Sequence, residues 1–253
     1  LFLVSHRRCA QLAAWGSAWL RGTVAFDDVL DAVAAGTRNV GGLGFDSTDL
    51  HPVGSALSDW KRSGTKTLTL VLPVPGDVRG LAGALEFRDA ALASGQAVFG
   101  LDTGLTCIAG PVTPSSAGRQ LYWHRATVTE RAPDFVSLSD AEHDLTEAVR
   151  ETASIFARRG SSSWMSDVAG ALSDARRAGE RLNLPTSHPP RGVRVVAQAE
   201  RLAAVLELVD ADGTGELTAA GMLERDRALA PLRLAVRRAL LAGYNAHSEV
   251  AAN

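Results

Sequence analysis

Hydrophobic positions along this chain change rhythm near residue 136. Before that point short helical runs alternate with strand-like runs, and after it the pattern is helical almost throughout. Leu12, Trp15 and Trp19 share one face of a first predicted helix. Phe26, Val29, Leu30 and Val33 mark a second, with Thr23 ahead of it as a cap, and Val53, Leu57 and Trp60 mark a third after His51-Pro52. Leu68, Leu70 and Leu72 then alternate with Thr67, Thr69 and Val71, which predicts a strand that Pro73 and Pro75 end by removing backbone donors. A helix carrying Leu85, Phe87, Ala91 and Leu92 follows. The runs 96–101 and 105–109 flank Asp102-Thr103-Gly104, a hairpin-like triplet, and 120–130 reads as a last, longer strand. Sequential strands joined by a hairpin predict a small mixed or antiparallel sheet of about four strands with flanking helices, expected on one side.

The second part opens with Ser139-Asp-Ala-Glu142, which has the spacing of a capping box, and continues with Leu145, Val149, Thr152 and Ile155 on one helical face. A further amphipathic run starts at Ser163 and holds Trp164, Val168, Leu172, Ala175 and Leu182. After the proline-rich connection 183–192 come two more stripes: Val195, Ala199, Leu202, Leu206 and Val209, then Leu229, Leu232, Val236, Leu240 and Tyr244, with Pro231 starting or kinking the last. These stripes predict a helical bundle or helical layer. The fold class expected is therefore α+β. An N-terminal α+β part over 1–136, with its strand-loop-helix at 66–94, precedes a mostly helical part over 137–253, the two packed as one compact unit.

Composition narrows the function classes. The 253 residues carry 26 Lys and Arg against 28 Asp and Glu, so general nucleic-acid binding, which draws its affinity from phosphate neutralisation, is not expected. Of the cations only Lys61 and Lys66 are lysines. Cys9 and Cys107 lie too far apart for a disulfide framework and are too few for a structural zinc site, and they read as reduced, partly buried thiols. The opening Leu1-Phe2-Leu3-Val4 is too short for a signal peptide, and no window reaches the roughly 18 apolar residues of a membrane helix. A soluble cytoplasmic protein with no membrane contact is the expectation.

Motif by motif, complete chemistry is missing. The stretch Asp210-Ala-Asp212-Gly-Thr214-Gly215-Glu-Leu217-Thr218 resembles the EF-hand calcium loop over this one segment, with Asp210 and Asp212 at the first ligand places, Thr214 a weaker third and Gly215 at the sharp turn. The twelfth place is Gly221 instead of the bidentate Glu, so the segment reads as a turn and no metal is expected. Asp140, His143, Glu147 and Glu151 share a helix face, but one helix cannot enclose a metal, and acids in a first turn suit the helix dipole. Neither Gly-x-Ser-x-Gly nor His-Glu-x-x-His occurs. Ser63-Gly64-Thr65-Lys66-Thr67 lacks the leading Gly of a phosphate loop, and Gly42-x-Gly44 is half of a dinucleotide fingerprint. No cofactor is expected.

What remains is the loop between the leucine strand and its helix. Gly76 and Gly80 bracket Asp77, Val78 and Arg79 at a strand end, where ligand sites tend to sit. Gly76, Asp77, Arg79 and Gly80 are the candidate binding residues, with Asp46, Asp102 and His124 as their company. In the functional reading Arg79 and the loop N–H groups hold a carboxylate or phosphate while Asp77 orients Arg79 or takes a proton. In the plain reading Asp77 caps the turn and pairs with Arg79. His124, on one strand face with Tyr122, reads as a core or half-buried histidine. The leading expectation is a non-catalytic binding or protein-interaction module. Its partner is a protein or a second copy, and Arg233, Arg237 and Arg238 beside the last leucine stripe suit an acidic surface. The alternative is an enzyme or small-molecule binder that handles an anionic metabolite at Asp77 and Arg79.

Overall fold

The structure is a computed structural model and describes residues 7–35, 50–109, 121–129, 131–132, 134–159, 182–212 and 219–247. The predicted run from Ser163, Gly42-x-Gly44, Asp46 and most of the EF-hand-like loop lie outside the described residues. Contacts divide the chain into two units, each described by itself. The first comprises Leu1–Phe135, Asn183–Pro189 and Tyr244–Asn253, and the second Val136–Leu182 and Pro190–Gly243.

The first unit is built on a four-stranded antiparallel sheet in the order β1 (Thr69–Val71), β2 (Ala97–Phe99), β3 (Thr103–Ala109) and β4 (Leu121–Thr127). Each strand pairs with the next in sequence, as the hairpin signal predicts. β1 covers only the middle of the leucine run, and Leu68, Leu70, Val71 and Leu72 are all buried. Both faces of β1 are therefore covered. α1 (Arg7–Leu20), α2 (Phe26–Ala35) and α3 (His51–Arg62) precede the sheet in the chain, and α4 (Leu85–Ser94) joins β1 to β2. Leu68 stands on the face that α1 and α3 cover, where a Cβ on Gly16 would lie 2.6 Å from Leu68 and 3.3 Å from Leu57. Phe87 and Ala91 of α4 pack instead with Val71, Ala97, Phe99 and Val128. Thr69 and Val71 stand opposite Phe99 and Ala97, and Leu70 opposite Val98. The alternation of the strand thus sends α4 to the face opposite α1 and α3, so the helices flank the sheet on both sides rather than one.

β1 forms one edge of the sheet, and its outward backbone groups are taken by side chains. Asn245 accepts from the Leu70 N–H at 2.8 Å and donates to its C=O at 3.0 Å, as a neighbouring strand would. Two residues earlier along the same edge, Ser17 Oγ accepts the Leu68 N–H at 2.8 Å, and His247 Nε2 lies 3.0 Å from the Leu68 carbonyl.

In the second unit α5 (Leu138–Arg159), α6 (Pro190–Asp212) and α7 (Ala219–Tyr244) carry the apolar stripes. Leu145, Val195, Ala199, Leu206, Val209, Leu229, Leu232, Val236 and Leu240 are buried as their spacing predicts. The cap of α5 is Ser137, whose Oγ accepts the Asp140 N–H at 3.1 Å, and not Ser139. Ser139 stands in the first turn instead, and Glu142 accepts both Nε (2.9 Å) and Nη2 (2.7 Å) of Arg191 from α6. Pro231 lies inside α7, which starts twelve residues earlier at Ala219. Asp210 and Asp212 belong to the end of α6, and the Asp210 carboxylate takes the Arg233 guanidinium. Arg233 also meets Asp226 at 3.4 Å and Arg237 is buried, so these two are not free cations on the helix surface.

Candidate functional site

The loop after β1 is stiffened by its own backbone. Val74 and Asp77 exchange both hydrogen bonds, the Val74 N–H donating to Asp77 O at 3.0 Å and the Asp77 N–H to Val74 O at 2.9 Å. Pro75 and Gly76 fill the two central positions, and Gly76 has φ +86°, so proline at the first and a left-handed glycine at the second give a type II turn. Gly80 has φ +74°, and a Cβ there would come within 3.3 Å of Val71 and 3.4 Å of Asp134. Its small size lets the chain after β4 close over the loop.

Asp77 and Arg79 meet as a fork. Arg79 donates from Nε to Asp77 Oδ1 at 2.8 Å and from Nη2 to Oδ2 at 2.7 Å, and the Arg79 backbone N–H reaches Oδ1 at 3.4 Å. Arg79 Nη1 faces Asp134 Oδ1 at 3.8 Å. The hydrogen bonds that Arg79 donates to Asp77, then the nearby Asp134 and Asp77 charges, hold the guanidinium's pKa above its ordinary value. The arginine side chain is 51% exposed while the Asp77 and Asp134 side chains are 20% and 15% exposed, so the cation lies over two sheltered carboxylates. One positive charge against two negative ones leaves the trio net acidic.

The sequence-selected residues Gly76, Asp77, Arg79 and Gly80 are thus brought together, and Asp134, which the sequence does not single out, joins them. Asp102 stands elsewhere, in the β2–β3 turn beyond Phe99, which the register places at the opposite end of β1 from this loop. His124 is exposed on β4 rather than half-buried, because the α4 packing that takes in Ala126 and Val128 on that face does not reach Tyr122 and His124. A second guanidinium lies across the sheet: Arg131 donates to Thr69 Oγ1 at 3.2 Å and its guanidinium carbon is 5.2 Å from the Phe99 ring centre. Burial lowers its pKa.

The two cysteines, distant in sequence, share one corner of the first unit. Cys9 Sγ lies 3.9 Å from Leu105 O, and Arg8 Nη1 donates to Cys107 Sγ at 3.5 Å. Both thiols are buried and unpaired by disulfide, and burial pushes both pKa values up. They are therefore held as thiols, the poorly nucleophilic form. Among the described residues no group of three or more His, Cys, Asp or Glu side chains is placed to hold a metal ion, and no described helix is long and apolar enough to cross a membrane.

Because Arg79 is mostly in water, its ion pairs carry little stability. Arg79→Ala is expected to cost under about 1 kcal/mol, measured as a urea midpoint against the parent protein. A loss several times larger would show the loop to be a structural keystone of the unit.

A sheet of antiparallel neighbours between helices, followed by a helical unit, defines a two-part α+β protein whose exposed loop is closed by its own ion pairs. The chain belongs to the family of Rv1486c-like proteins: the N-terminal domain model of that family matches residues 9–136 and its C-terminal domain model residues 139–241. Similar proteins include the uncharacterized protein Rv1486c of Mycobacterium tuberculosis, 30% identical across 93% of this chain and 95% of that protein. Others are ML1804 of Mycobacterium leprae, 26% identical over 93% and 95%, and MAV321 of Mycobacterium avium, 30% identical over 77% and 76%. No solved structure matches the chain.

Proposed function

We propose that this protein is a non-catalytic cytoplasmic binding module whose loop 73–80 contacts a protein partner. The observation that carries the reading is the closed Asp77–Arg79–Asp134 trio on a proline- and glycine-fixed turn. Such a loop loses little freedom when it is covered, which lowers the entropic cost of association. Val78, between the paired residues, is 39% exposed, and Phe135, next to Asp134, is 68% exposed. Apolar side chains beside an arginine whose charge is already matched are the composition of an interface centre. Capture of an anionic metabolite by Arg79 is the less favoured use of the loop, since an incoming anion would have to displace Asp77 and approach Asp134.

The test compares proteins retained from cells of the producing organism by the parent chain and by Val78→Asp and Phe135→Asp, both surface changes. A species retained by the parent and lost by both variants at unchanged melting temperature supports the reading. Identical retention by all three, or binding of a small anion that Arg79→Lys abolishes, overturns it.

A further inference from the structure

The two edges of the sheet are treated differently. At β1 every outward group on Leu68 and Leu70 has a side-chain partner from Ser17, Asn245 or His247. At β4 the orientation of the backbone follows from one bond: the Val128 N–H donates to Asp102 O at 2.8 Å, toward β3. Peptide groups alternate in direction along a strand. Ala126, His124 and Tyr122, opposite Gly104, Thr106 and Ile108, therefore bond to β3, and Leu121, Trp123, Arg125 and Thr127 turn their N–H and C=O outward. The Gly100 N–H to Thr103 O bond at 2.9 Å fixes the same phase from the other side of β3. Among the described residues no hydrogen bond reaches those outward groups. A seven-residue edge whose outward groups have no partner among the described residues is a template for another strand.

We propose that β4 is a self-association edge, on which a second copy of this chain pairs β4 with β4 antiparallel about a two-fold axis at His124. The occupant is a second copy because the strand is self-complementary. With His124 on the axis, Trp123 stands opposite Arg125 of the partner subunit and Leu121 opposite Thr127 of the partner subunit. All of these are outward-facing positions, so every free N–H and C=O on both strands is used. Centring on Arg125 would set two guanidinium groups against each other, and centring on Trp123 would leave Thr127 unpaired. The strand carries no acid, and the charge of Arg125 is already matched within its own chain by Asp59, so no foreign countercharge is required. Tyr122, 46% exposed, comes to lie across from Ala126 of the partner subunit. The pairing does not rest on the loop reading above.

The axis gives the test its handle, since directly opposed residues of a non-hydrogen-bonded pair have Cα atoms only about 4.5 Å apart. His124→Glu and His124→Lys each put like charges together in a pair of identical chains and opposite charges together in a mixed pair. In sedimentation velocity the parent is expected to be a dimer and each variant at least about tenfold weaker in association. An equimolar mixture should regain a dimer of mixed composition, identified by native mass spectrometry. Thr127→Pro, which removes one outward donor without touching the β3 ladder, should also give monomer. His124 is exposed, so at dilutions where the parent too is monomeric an unchanged melting temperature is expected in both charge variants. A parent chain that stays monomeric at several hundred micromolar overturns the proposal. Variants that remain dimeric, or a mixture that does not re-associate beside a dimeric parent, overturn it equally.

Discussion

Trp60→Ala is expected to lower the stability of the first unit by about 3–5 kcal/mol, the largest single loss we foresee. Trp60 is fully buried on α3 with Val53, Ala56 and Leu57, and its indole lies flush on the backbone of Gly100 at the end of β2. A Cβ at residue 100 would sit 2.2 Å from Trp60 Nε1 and 2.3 Å from Cδ1, with no flexible chain end to give way. Gly100→Ala alone should therefore cost about 1–3 kcal/mol by overpacking. The two changes share one contact, so they must not add: in the Trp60→Ala background the Gly100 methyl has room, and Gly100→Ala should become close to neutral. Urea denaturation of the four proteins measures this cycle. Additive losses would mean that the ring and the glycine are not in contact.

The same pair shows what the sequence discloses and what it hides. Helical spacing picks out Val53, Leu57 and Trp60 as an inward face, and all three are buried. Nothing in the spacing tells that Gly100 is where the ring lands, because that depends on which face of the sheet α3 covers. α1 is hidden in a similar way. Its tryptophans draw attention, yet Trp15 and Trp19 are only half-buried while Cys9, Ala10, Ala13, Ala14, Gly16, Ser17 and Ala18 are buried. Small residues give little hydropathy signal, and here their smallness is what lets Leu68 approach the helix at Gly16.

At the candidate site the local part was legible and the distant part was not. Asp77 and Arg79 are two residues apart between glycines, a spacing that suits a fork across a turn, and they form one. Asp134 reaches them only because the chain leaving β4 passes over Gly80, a tertiary event without a local signature. The exposure of His124 escapes the sequence for a related reason. Alternation assigns Tyr122 and His124 to one face of β4, but it cannot say that helix packing on this face stops at Ala126.

The histidine that is truly buried lies at the other edge, and it should make the first unit sensitive to acid. His247 is 3% exposed and its Nε2 lies 3.0 Å from the Leu68 carbonyl and 2.9 Å from Ser17 Oγ. Its Nδ1 is buried without a partner among the described residues, so a proton added there would have no acceptor. Charged and titratable neighbours oppose that proton too: Arg21 lies close by, and the His188 ring centre is 6.1 Å away. Burial first, and these charges after it, push the His247 pKa down to about 3, against the bond to Leu68. The unfolded chain takes up the proton near the ordinary value of about 6.5 and the folded chain does not. Stability is therefore undiminished above pH about 6.5 and falls as the pH is lowered, flattening only near pH 3. Between pH 7.5 and 5 the loss from this one residue should be about 2 kcal/mol, from roughly 1.5 pH units at 1.4 kcal/mol each. His247→Asn should start less stable at pH 7.5 and lose correspondingly less on acidification. Urea midpoints for both proteins at the two pH values decide it, and parallel losses would place the acid sensitivity elsewhere. Because His247 and Asn245 together close the β1 edge, amide exchange at Leu70 should accelerate over the same pH interval, relative to the intrinsic rate at each pH, in the parent protein and not in the variant.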